Sequence, residues 1–387
     1  MKKVMIAFAL CCCMTSCIKD EAPNNECDIE SAWVEGAELE MFFYQAADMR
    51  KENISSTETN ITFAVRSVAL LPSQIAVNFK VTDGATISPA SGSPQDFTKG
   101  VVTYTVTSQD GQWQRAYNVA FTEPVLPKSQ FSYENVETAE GGILIQNKYH
   151  QFFELDQNGE KQNLWASGNP GFALSVTENA TPEQFPTSQA GNGFDGKCVC
   201  LQTLSTGAFG SLMKKPIAAG NLFLGRFIVD QSAVNPLKAT EFGVRWDREP
   251  VYVTGFYKYQ PGKEFTNVDM EVVPGRTDEA SIYAVFYRNI DANGNQYFLY
   301  GDDVADLDKI EDNPQVYKVA RVDVLPPTDQ WTPFVMYFEG MDAPDDMVAN
   351  KDFNLAIVFS SSKGGAQFEG AIGSTLYIDE VEVMYEK

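Results

Sequence analysis

Histidine is nearly absent from this sequence, since the 387 residues include only His150. A single imidazole excludes metal sites built on paired histidines, including the zinc signatures that use them. Any Ser-His-Asp arrangement would have to use His150. No serine or cysteine in a nucleophile setting lies near it in the sequence, so we expect a structural histidine with its hydrogen bonds satisfied.

Basic residues are also scarce. The chain has 29 Lys and Arg against 52 Asp and Glu, which gives a formal net charge of −23. Nucleic-acid binding rests mainly on Lys and Arg contacts to phosphates, so we expect no nucleic-acid partner. Hydrophobic residues at 44% and charged residues at 21% indicate a globular chain. The length favours two domains.

Long hydrophobic runs are missing too. The apolar run Val4–Met14 follows two lysines and is too short to span a bilayer. It ends in Met14-Thr15-Ser16-Cys17, which resembles a bacterial lipobox. The resemblance implies that residues 1–17 are a lipoprotein signal peptide and that Cys17 is lipidated. The alternatives are an ordinary cleaved signal peptide or a signal anchor.

The four residues after Cys17 are Ile18-Lys19-Asp20-Glu21. This segment resembles the export tag of surface lipoproteins in the Bacteroidetes phylum. The resemblance implies a lipid-anchored protein on the outer membrane, exposed at the cell surface. Residues 18–27 are polar, and we interpret them as a tether.

Cysteine is rare beyond the signal, where only Cys27, Cys198 and Cys200 remain. Cys198 and Cys200 lie two residues apart in a predicted strand, so their side chains share a face and are badly placed to bond to each other. We expect no disulfide framework, and we interpret these two cysteines as packing residues.

Residues 28–123 show short alternating strands separated by turns. Asp110-Gly111 is a strong hairpin signal between two of them. The segment 85–121 resembles the immunoglobulin-like modules of many Bacteroidetes surface lipoproteins. We therefore predict an Ig-like β-sandwich, which in such proteins is usually a spacer.

Residues 124–128 contain Pro124 and Pro127 and are interpreted as a linker. Residues 129–387 again read as β-strands, and no stretch of a dozen residues shows a helical period. A region of this length points to two packed antiparallel sheets. The predicted fold class is all-β, with an Ig-like β-sandwich followed by a larger jelly-roll β-sandwich of the carbohydrate-binding-module type.

Four blocks in the second domain carry a family resemblance. They are Ala219–Arg226, Phe242–Pro250, Thr254–Gly262 and Gly373–Val381. In this order they resemble the PCMD family, named for a putative carbohydrate metabolism domain, over most of residues 140–387. The resemblance implies a carbohydrate-related function, which a site must support.

The region 242–259 has the residue types that bind sugars, because aromatic faces stack on C–H surfaces and polar groups hold hydroxyls. Within one strand, Tyr257 and Tyr259 share a face, and Phe256 and Lys258 share the other. Either face could be open, and sequence parity leaves both alternatives standing. Arg248, just before this strand, is a further candidate.

Trp165 and Asn169 lie in a loop rich in small and polar residues. A tryptophan in a loop either plugs the end of the sandwich or stacks on a ligand. Asn169 could accept sugar hydroxyls, and Asp195 more simply forms a turn. The candidate carbohydrate-binding residues are therefore Trp165, Asn169, Arg248, Tyr257, Lys258 and Tyr259.

Glycoside hydrolysis would require two carboxyl groups with different pKa values. Nothing in the spacing of the acids marks such a pair, so the catalytic residues are unknown. The candidates near the expected cleft are Asp195, Glu241, Asp247, Glu249 and Glu279.

A structural calcium ion is the one cofactor considered. Jelly-roll sugar-binding modules often carry a calcium that uses an Asp in the last strand, and Asp379 occupies that place. The alternative is an Asp that simply alternates with core residues. Asp291–Asn295 partly mimics a calcium loop, but Asn293-Gly294 fits a hairpin turn far better.

Together these observations predict a cell-surface lipoprotein that binds an oligo- or polysaccharide through an aromatic-lined cleft of its C-terminal jelly roll. One alternative is a glycoside hydrolase that uses a carboxylate pair in the same cleft. A second alternative is a non-enzymatic adhesion or assembly protein whose aromatic residues are simply core.

Overall fold

The computed structural model describes residues 22–385 except 44–45, 67, 69–70, 124–127, 144–145 and 177. The predicted signal peptide, the lipidation site Cys17 and most of the predicted linker lie outside the described residues. The chain divides into two compact units, one ending at Pro124 and the other beginning at Val125.

The N-terminal unit is built from short strands with alternating burial. Its strands are β1 (Ile29–Val34), β2 (Arg50–Lys51), β3 (Asn60–Ala64), β4 (Ile75–Val81), β5 (Thr86–Ser88), β6 (Pro94–Gln95), β7 (Val102–Thr107) and β8 (Gln114–Thr122). Helix α1 (Ala37–Glu40) and a 3₁₀ turn at Ala46–Met49 connect β1 to β2.

Two four-stranded sheets form this unit, in the orders β2-β1-β4-β6 and β3-β8-β7-β5. The inward residues of both sheets make one core, in which Phe63 and Phe121 stack with their ring centroids 5.1 Å apart. The predicted hairpin at Asp110-Gly111 joins β7 to β8. Cys27 is buried in this core and Asn24 bonds to Gln109, so the last residues of the predicted tether belong to the unit.

The first half of the C-terminal unit, up to Trp246, contains mostly short strands. They are β9 (Lys128–Phe131), β10 (Val136–Gly141), β11 (Asn147–Phe152), β12 (Glu154–Leu155), β13 (Lys161–Gln162), β14 (Trp165–Ala166), β15 (Thr187–Ala190), β16 (Cys198–Gln202), β17 (Leu204–Ser205), β18 (Ile217–Ala218), β19 (Asn221–Phe227), β20 (Thr240–Phe242) and β21 (Val244–Trp246).

The remaining strands include the longest ones of the unit. They are β22 (Pro250–Gln260), β23 (Phe265–Thr266), β24 (Ser281–Arg288), β25 (Leu299–Tyr300), β26 (Val316–Arg321), β27 (Thr328–Tyr337), β28 (Glu339–Gly340), β29 (Phe353–Ser360), β30 (Gly370–Ala371) and β31 (Thr375–Tyr385). Four short α-helices lie between strands: α2 (Asn169–Ala173), α3 (Gly207–Leu212), α4 (Val229–Val234) and α5 (Asp345–Ala349). Further 3₁₀ turns span Pro182–Gln184, Pro236–Lys238, Leu307–Asp312 and Gly365–Gln367.

Two large sheets face each other in this unit. The nine-stranded sheet runs β25-β20-β19-β29-β24-β26-β28, with β14 beside β19 and β21 beside β29. The six-stranded sheet runs β15-β16-β31-β22-β27, with β9 beside β31. Leu222, Ile282 and Phe359 of the first sheet and Val253 and Ile378 of the second share one buried core. The all-β prediction, an Ig-like sandwich followed by a larger sandwich, is confirmed.

The helices are short because the sequence offers them no apolar face to bury over several turns. The longest described α-helices, α3 and α4, have six residues each. Among the described residues, no helix combines the length and the hydropathy needed to cross a membrane.

Candidate functional site

A cavity of about 520 Å³ opens on the outer face of the nine-stranded sheet. Strands β19, β20, β24 and β29 form its floor, and its walls come from α2, α3, α4 and the turn that contains Gly365–Gln367. We call this cavity the cleft. It is built from segments far apart in sequence, which the antiparallel pairing brings side by side.

The floor of the cleft consists of two neighbouring rows of side chains. One row crosses three strands as Asn221, Ser360 and Ser281. The next row is aromatic and apolar, and it ends in a cation; its members are Phe223, Val358, Tyr283 and Arg321. Side chains two residues apart on a strand share a face, so both rows point into the cleft.

The walls of the cleft are mainly aromatic. Phe209 on α3 is 44% exposed and Met213 just after α3 is 48% exposed. Phe172 and Phe227 are half-buried and line the same space. Phe368, which follows the 3₁₀ turn Gly365–Gln367, adds another ring to the wall. Its backbone is left-handed, with φ of 61°, and this conformation ends the turn. Aromatic rings that are partly exposed to solvent offer flat apolar surfaces on which another flat molecule can stack.

Four polar side chains in the cleft lack partners within the described part of the protein, one of which is Thr240 on β20. The other three are Ser281 on the floor and Lys363 and Gln367 at the rim. By contrast, the Asn221 amide oxygen accepts a bond of 2.8 Å from the Gly168 N–H. The Ser360 hydroxyl donates 2.9 Å to the Ser362 carbonyl. The unpartnered groups are therefore the ones that could bind hydroxyls of a ligand.

The cleft also contains Lys215, whose ammonium donates 2.9 Å to the Ser232 carbonyl at the α4 wall. Burial lowers the pKa of Lys215. This bond fixes the segment after α3 to α4, so that Phe209 is held at the mouth of the cleft.

Among the described residues of the lining, carboxylates lie at one rim only. Lys309 pairs with Asp306 at 2.7 Å and lowers the pKa of Asp306. Asp308 and Asp323 both pair with Arg321, at 2.7 and 3.2 Å. A general acid requires a carboxyl that keeps its proton near neutral pH, which calls for a raised pKa. The ion pair with Lys309 shifts the pKa of Asp306 in the opposite direction.

The carboxyls with raised pKa values lie elsewhere in the C-terminal unit. Burial raises the pKa of Glu154 and of Asp379 to about 7, and it also raises the pKa of Glu380. None of the three lines the cleft. The described lining therefore combines stacking and hydrogen-bonding groups with carboxylates that are ion-paired.

Glu154 should make stability depend on pH. Its pKa is about 7 in the folded chain and near 4.5 when unfolded, so the folded state keeps a proton that the unfolded state loses. The contribution of Glu154 to stability is therefore greatest below pH 4.5 and falls as the pH rises towards 7, by on the order of 3 kcal/mol. Asp379 acts in the same direction.

The variant Glu154→Gln isolates this effect. A glutamine can still accept the 2.9 Å hydrogen bond from the Trp165 indole N–H, and it carries no charge at any pH. We expect a smaller decline in melting temperature between pH 5 and pH 8 than in the wild type, measured by calorimetry. An unchanged pH profile would contradict the assignment.

Three of the predicted site residues are core residues, and the expectation that they line an open cleft is wrong. Trp165 is 2% exposed, Tyr257 4% and Tyr259 1%. The Trp165 ring packs against Phe131 at a centroid distance of 5.1 Å. Tyr257 and Tyr259 point inwards from β22, so the open side of that strand is the one with Lys258.

Asn169 is fully buried and also does not face a ligand. Its amide nitrogen donates 2.7 Å to the Thr187 carbonyl, and its oxygen accepts 3.1 Å from the Thr187 N–H. It therefore ties α2 to β15.

Arg248 is exposed, but its guanidinium lies 5.4 Å from the Tyr385 ring centroid and does not line the cleft. Lys258 lies on the outer face of the six-stranded sheet.

Asp379, the candidate calcium ligand, lies among backbone donors. Its carboxylate accepts bonds from the backbone N–H groups of Phe194, Asp195 and Glu380 at 2.6, 3.1 and 2.9 Å. Calcium requires a shell of oxygens, and a structural calcium at Asp379 stays a prediction. Within the described residues, no group of three or more His, Cys, Asp or Glu is placed to hold a metal ion.

The other candidate acids are structural or lie outside the cleft. Arg226 binds Glu241 through both Nε, at 2.8 Å, and a terminal nitrogen. Lys351 pairs with Asp247 at 3.3 Å, and Lys318 pairs with Glu249. Asp195 and Glu279 are exposed and are likewise not among the lining residues.

His150 has the predicted structural role, because its Nδ1 accepts 3.0 Å from the Gln189 N–H and burial lowers its pKa. The cleft residues were missed in the sequence. Ser281 and Tyr283 lie in a predicted strand, but the residues on its other face, such as Ile282, are just as apolar, so no pattern marked the outer face.

The fold and the cleft define an all-β chain of two units whose larger sandwich carries an open, partly aromatic cavity. The chain belongs to the putative carbohydrate metabolism domain family, whose model matches residues 132–384. The model for the N-terminal domain of SGBP, the surface glycan-binding proteins, matches residues 42–120. This second match is consistent with a location at the cell surface.

Two solved structures are similar over most of their own length. One is described as a putative glycoside hydrolase from Bacteroides thetaiotaomicron; it is 36% identical, covers 95% of this chain and 99% of its own, and has a TM-score of 0.59. The other, a putative glycoside hydrolase from Bacteroides vulgatus, is 36% identical over 66% of this chain and 98% of its own, with a TM-score of 0.60. No curated protein matches the chain.

Proposed function

We propose that this protein binds a glycan in the cleft at the cell surface, where lipid on Cys17 anchors it to the outer membrane. The observation that carries the proposal is the cleft itself, which combines partly exposed rings with polar side chains that have no partner. The two family matches and the relatives described as putative glycoside hydrolases support a carbohydrate ligand.

The cleft can hold a saccharide in a defined way. Phe209 and Phe172 offer apolar ring surfaces for the C–H faces of a sugar ring. Ser281, Lys363 and Gln367 offer donors and acceptors for its hydroxyls. A cavity of about 520 Å³ falls in the ordinary range for small-ligand sites.

Binding is favoured over hydrolysis by the charges around the cleft. Its carboxylates at the rim are paired with Lys309 and Arg321. The carboxyls with a pKa near 7, Glu154 and Asp379, line no part of it. A hydrolase would need at least one such carboxyl beside the scissile bond.

A matched pair of variants on α3 tests the proposal. Phe209 lines the cleft, whereas Leu212, on the same helix, is 80% exposed and does not line it. After a glycan array has identified a ligand, we expect Phe209→Ala to weaken its binding about tenfold. Leu212→Ala should leave the affinity unchanged. Equal affinity of both variants and the wild type would contradict the assignment to the cleft.

Product analysis separates binding from catalysis. We expect the wild-type protein to bind the identified glycan and to release no shorter product after prolonged incubation. If the wild type releases shorter products and the Phe209→Ala variant releases them more slowly, the protein is a glycoside hydrolase instead. If the protein binds no glycan on the array, the adhesion or assembly alternative is favoured.

A further inference from the structure

The outer face of the six-stranded sheet carries a second group of partly exposed aromatic residues. Across the strands, Cys200 lies opposite Tyr377, and Tyr377 lies opposite Lys258. On the edge strand, Trp331 lies beside them, with its ring centroid 4.4 Å from the Lys258 ammonium. Tyr377, Lys258 and Trp331 are all partly exposed. We call these three residues the Lys258 face.

Lys258 stands out in this acidic chain. Most lysines with a described side-chain contact pair with a carboxylate, but among the described residues no carboxylate lies within ion-pair distance of the Lys258 ammonium. Its contact is the Trp331 ring instead. A cation over an aromatic face keeps its donors directed outwards, where they can bind an anion.

A polar row runs beside the Lys258 face, two residues further along the strands and therefore about 7 Å away. Thr375 lies opposite both Gln202 and Gln260. The Gln202 amide donates 3.3 Å to the Thr375 hydroxyl, and Gln260 is exposed. The amide and hydroxyl groups of this row are suited to hydrogen bonding with several hydroxyls.

On the opposite side of the Lys258 face the sheet is closed. Phe194 stacks on Phe256 with ring centroids 3.8 Å apart and planes 9° apart. The Asp379 carboxyl is buried beneath the same turn and bonded to its N–H groups. The accessible surface therefore extends from Lys258 towards Gln260 rather than towards Phe256.

We infer that the Lys258 face is a second binding site, separate from the cleft, for a saccharide chain that carries carboxylates, such as a polyuronate. The Trp331 and Tyr377 rings contact C–H surfaces of the chain, the Lys258 ammonium pairs with a carboxylate, and the Gln202–Thr375–Gln260 row binds hydroxyls. None of these residues lines the cleft, so this inference does not depend on the ligand of the cleft.

Charge complementarity selects the anionic ligand. The chain has a formal net charge of −23, which repels polyanions at long range. At physiological ionic strength the Debye length is about 8 Å, so a contact at the Lys258 face is governed by the local ammonium. Binding should therefore strengthen when moderate salt is first added and weaken again at high salt.

The test uses affinity measurements of the mature protein with polygalacturonate, and with a neutral β-glucan for comparison. We expect wild-type binding to polygalacturonate, a loss of about tenfold in Lys258→Gln, and a similar loss in Trp331→Ala. Lys99→Gln removes the same charge from the N-terminal unit, at a side chain 84% exposed, and should have no effect. Circular dichroism verifies that each variant is folded.

The cleft variant distinguishes this site from the proposed function. Phe209→Ala should leave polygalacturonate binding unchanged, whatever it does to the ligand of the cleft. The inference is overturned if the wild type does not bind polygalacturonate, if Lys258→Gln and Trp331→Ala both bind it normally, or if Phe209→Ala abolishes its binding.

Discussion

Replacing Ser281 with tryptophan should reduce glycan binding to the cleft by up to about a hundredfold. Ser281 lies in the polar row of the floor, opposite Ser360, and its side chain points into the cavity. A bulky ring at this position occupies the space that the ligand needs and also removes a free hydroxyl. Overfilling of a packed site commonly costs 1–3 kcal/mol, up to about a hundredfold in affinity.

The sheet itself should tolerate this change. Ser281 begins β24, and tryptophan is favourable in strands. Isothermal titration with the glycan found on the array gives the affinity, and thermal unfolding reports on the fold. Ser281→Ala is the matched control, since it removes only the hydroxyl and should weaken binding a few-fold. If the folded Ser281→Trp variant binds as well as the wild type, the ligand does not occupy the cleft.

Replacing Trp165 with alanine should destabilise the C-terminal unit by about 4 kcal/mol or more. Its indole packs among Phe131, Tyr133 and Phe359 between the two large sheets. Truncation of a buried aromatic residue costs about 3–5 kcal/mol because it leaves a cavity. It also removes the hydrogen bond that the indole N–H donates to Glu154, so that a poorly solvated carboxyl loses a partner.

Calorimetry of the transition of the C-terminal unit measures this loss. Trp331→Ala is the control, because Trp331 is partly exposed and its removal should lower the transition temperature far less. Trp165→Phe keeps much of the packing and should leave glycan affinity unchanged. A Trp165→Ala protein of normal stability that no longer bound glycan would restore Trp165 as a binding residue.

Strands of the N-terminal unit such as β4 and β8 could be predicted because their burial largely follows a period of two. Residues 28–123 are predicted to form short alternating strands, and Ile75–Val81 is one of the strands that the structure shows there, β4. The open side of β22 could not be predicted, since both of its faces carry aromatic residues. Phe256 on the outer side is covered by Phe194, which is 62 positions earlier in the chain. No local pattern reveals such a cover.

The same limit applies to the cleft. Phe209, Ser281 and Lys363 come from three separate segments, and only the strand order places them around one cavity. The sequence did mark Trp165 as a large ring in a polar loop, for which plugging the sandwich and stacking on a ligand were equal alternatives. Trp165 is buried among the rings of the core, so it plugs the sandwich.

The central claim is that a glycan occupies the cleft of the C-terminal sandwich. Hydrogen–deuterium exchange of the wild-type protein, with and without saturating glycan, tests it most directly. We predict slower exchange in α3, in the turn around Gly365–Gln367 and in α2, which together form the walls. Protection confined to other segments, with these walls exchanging as in the free protein, would contradict the account.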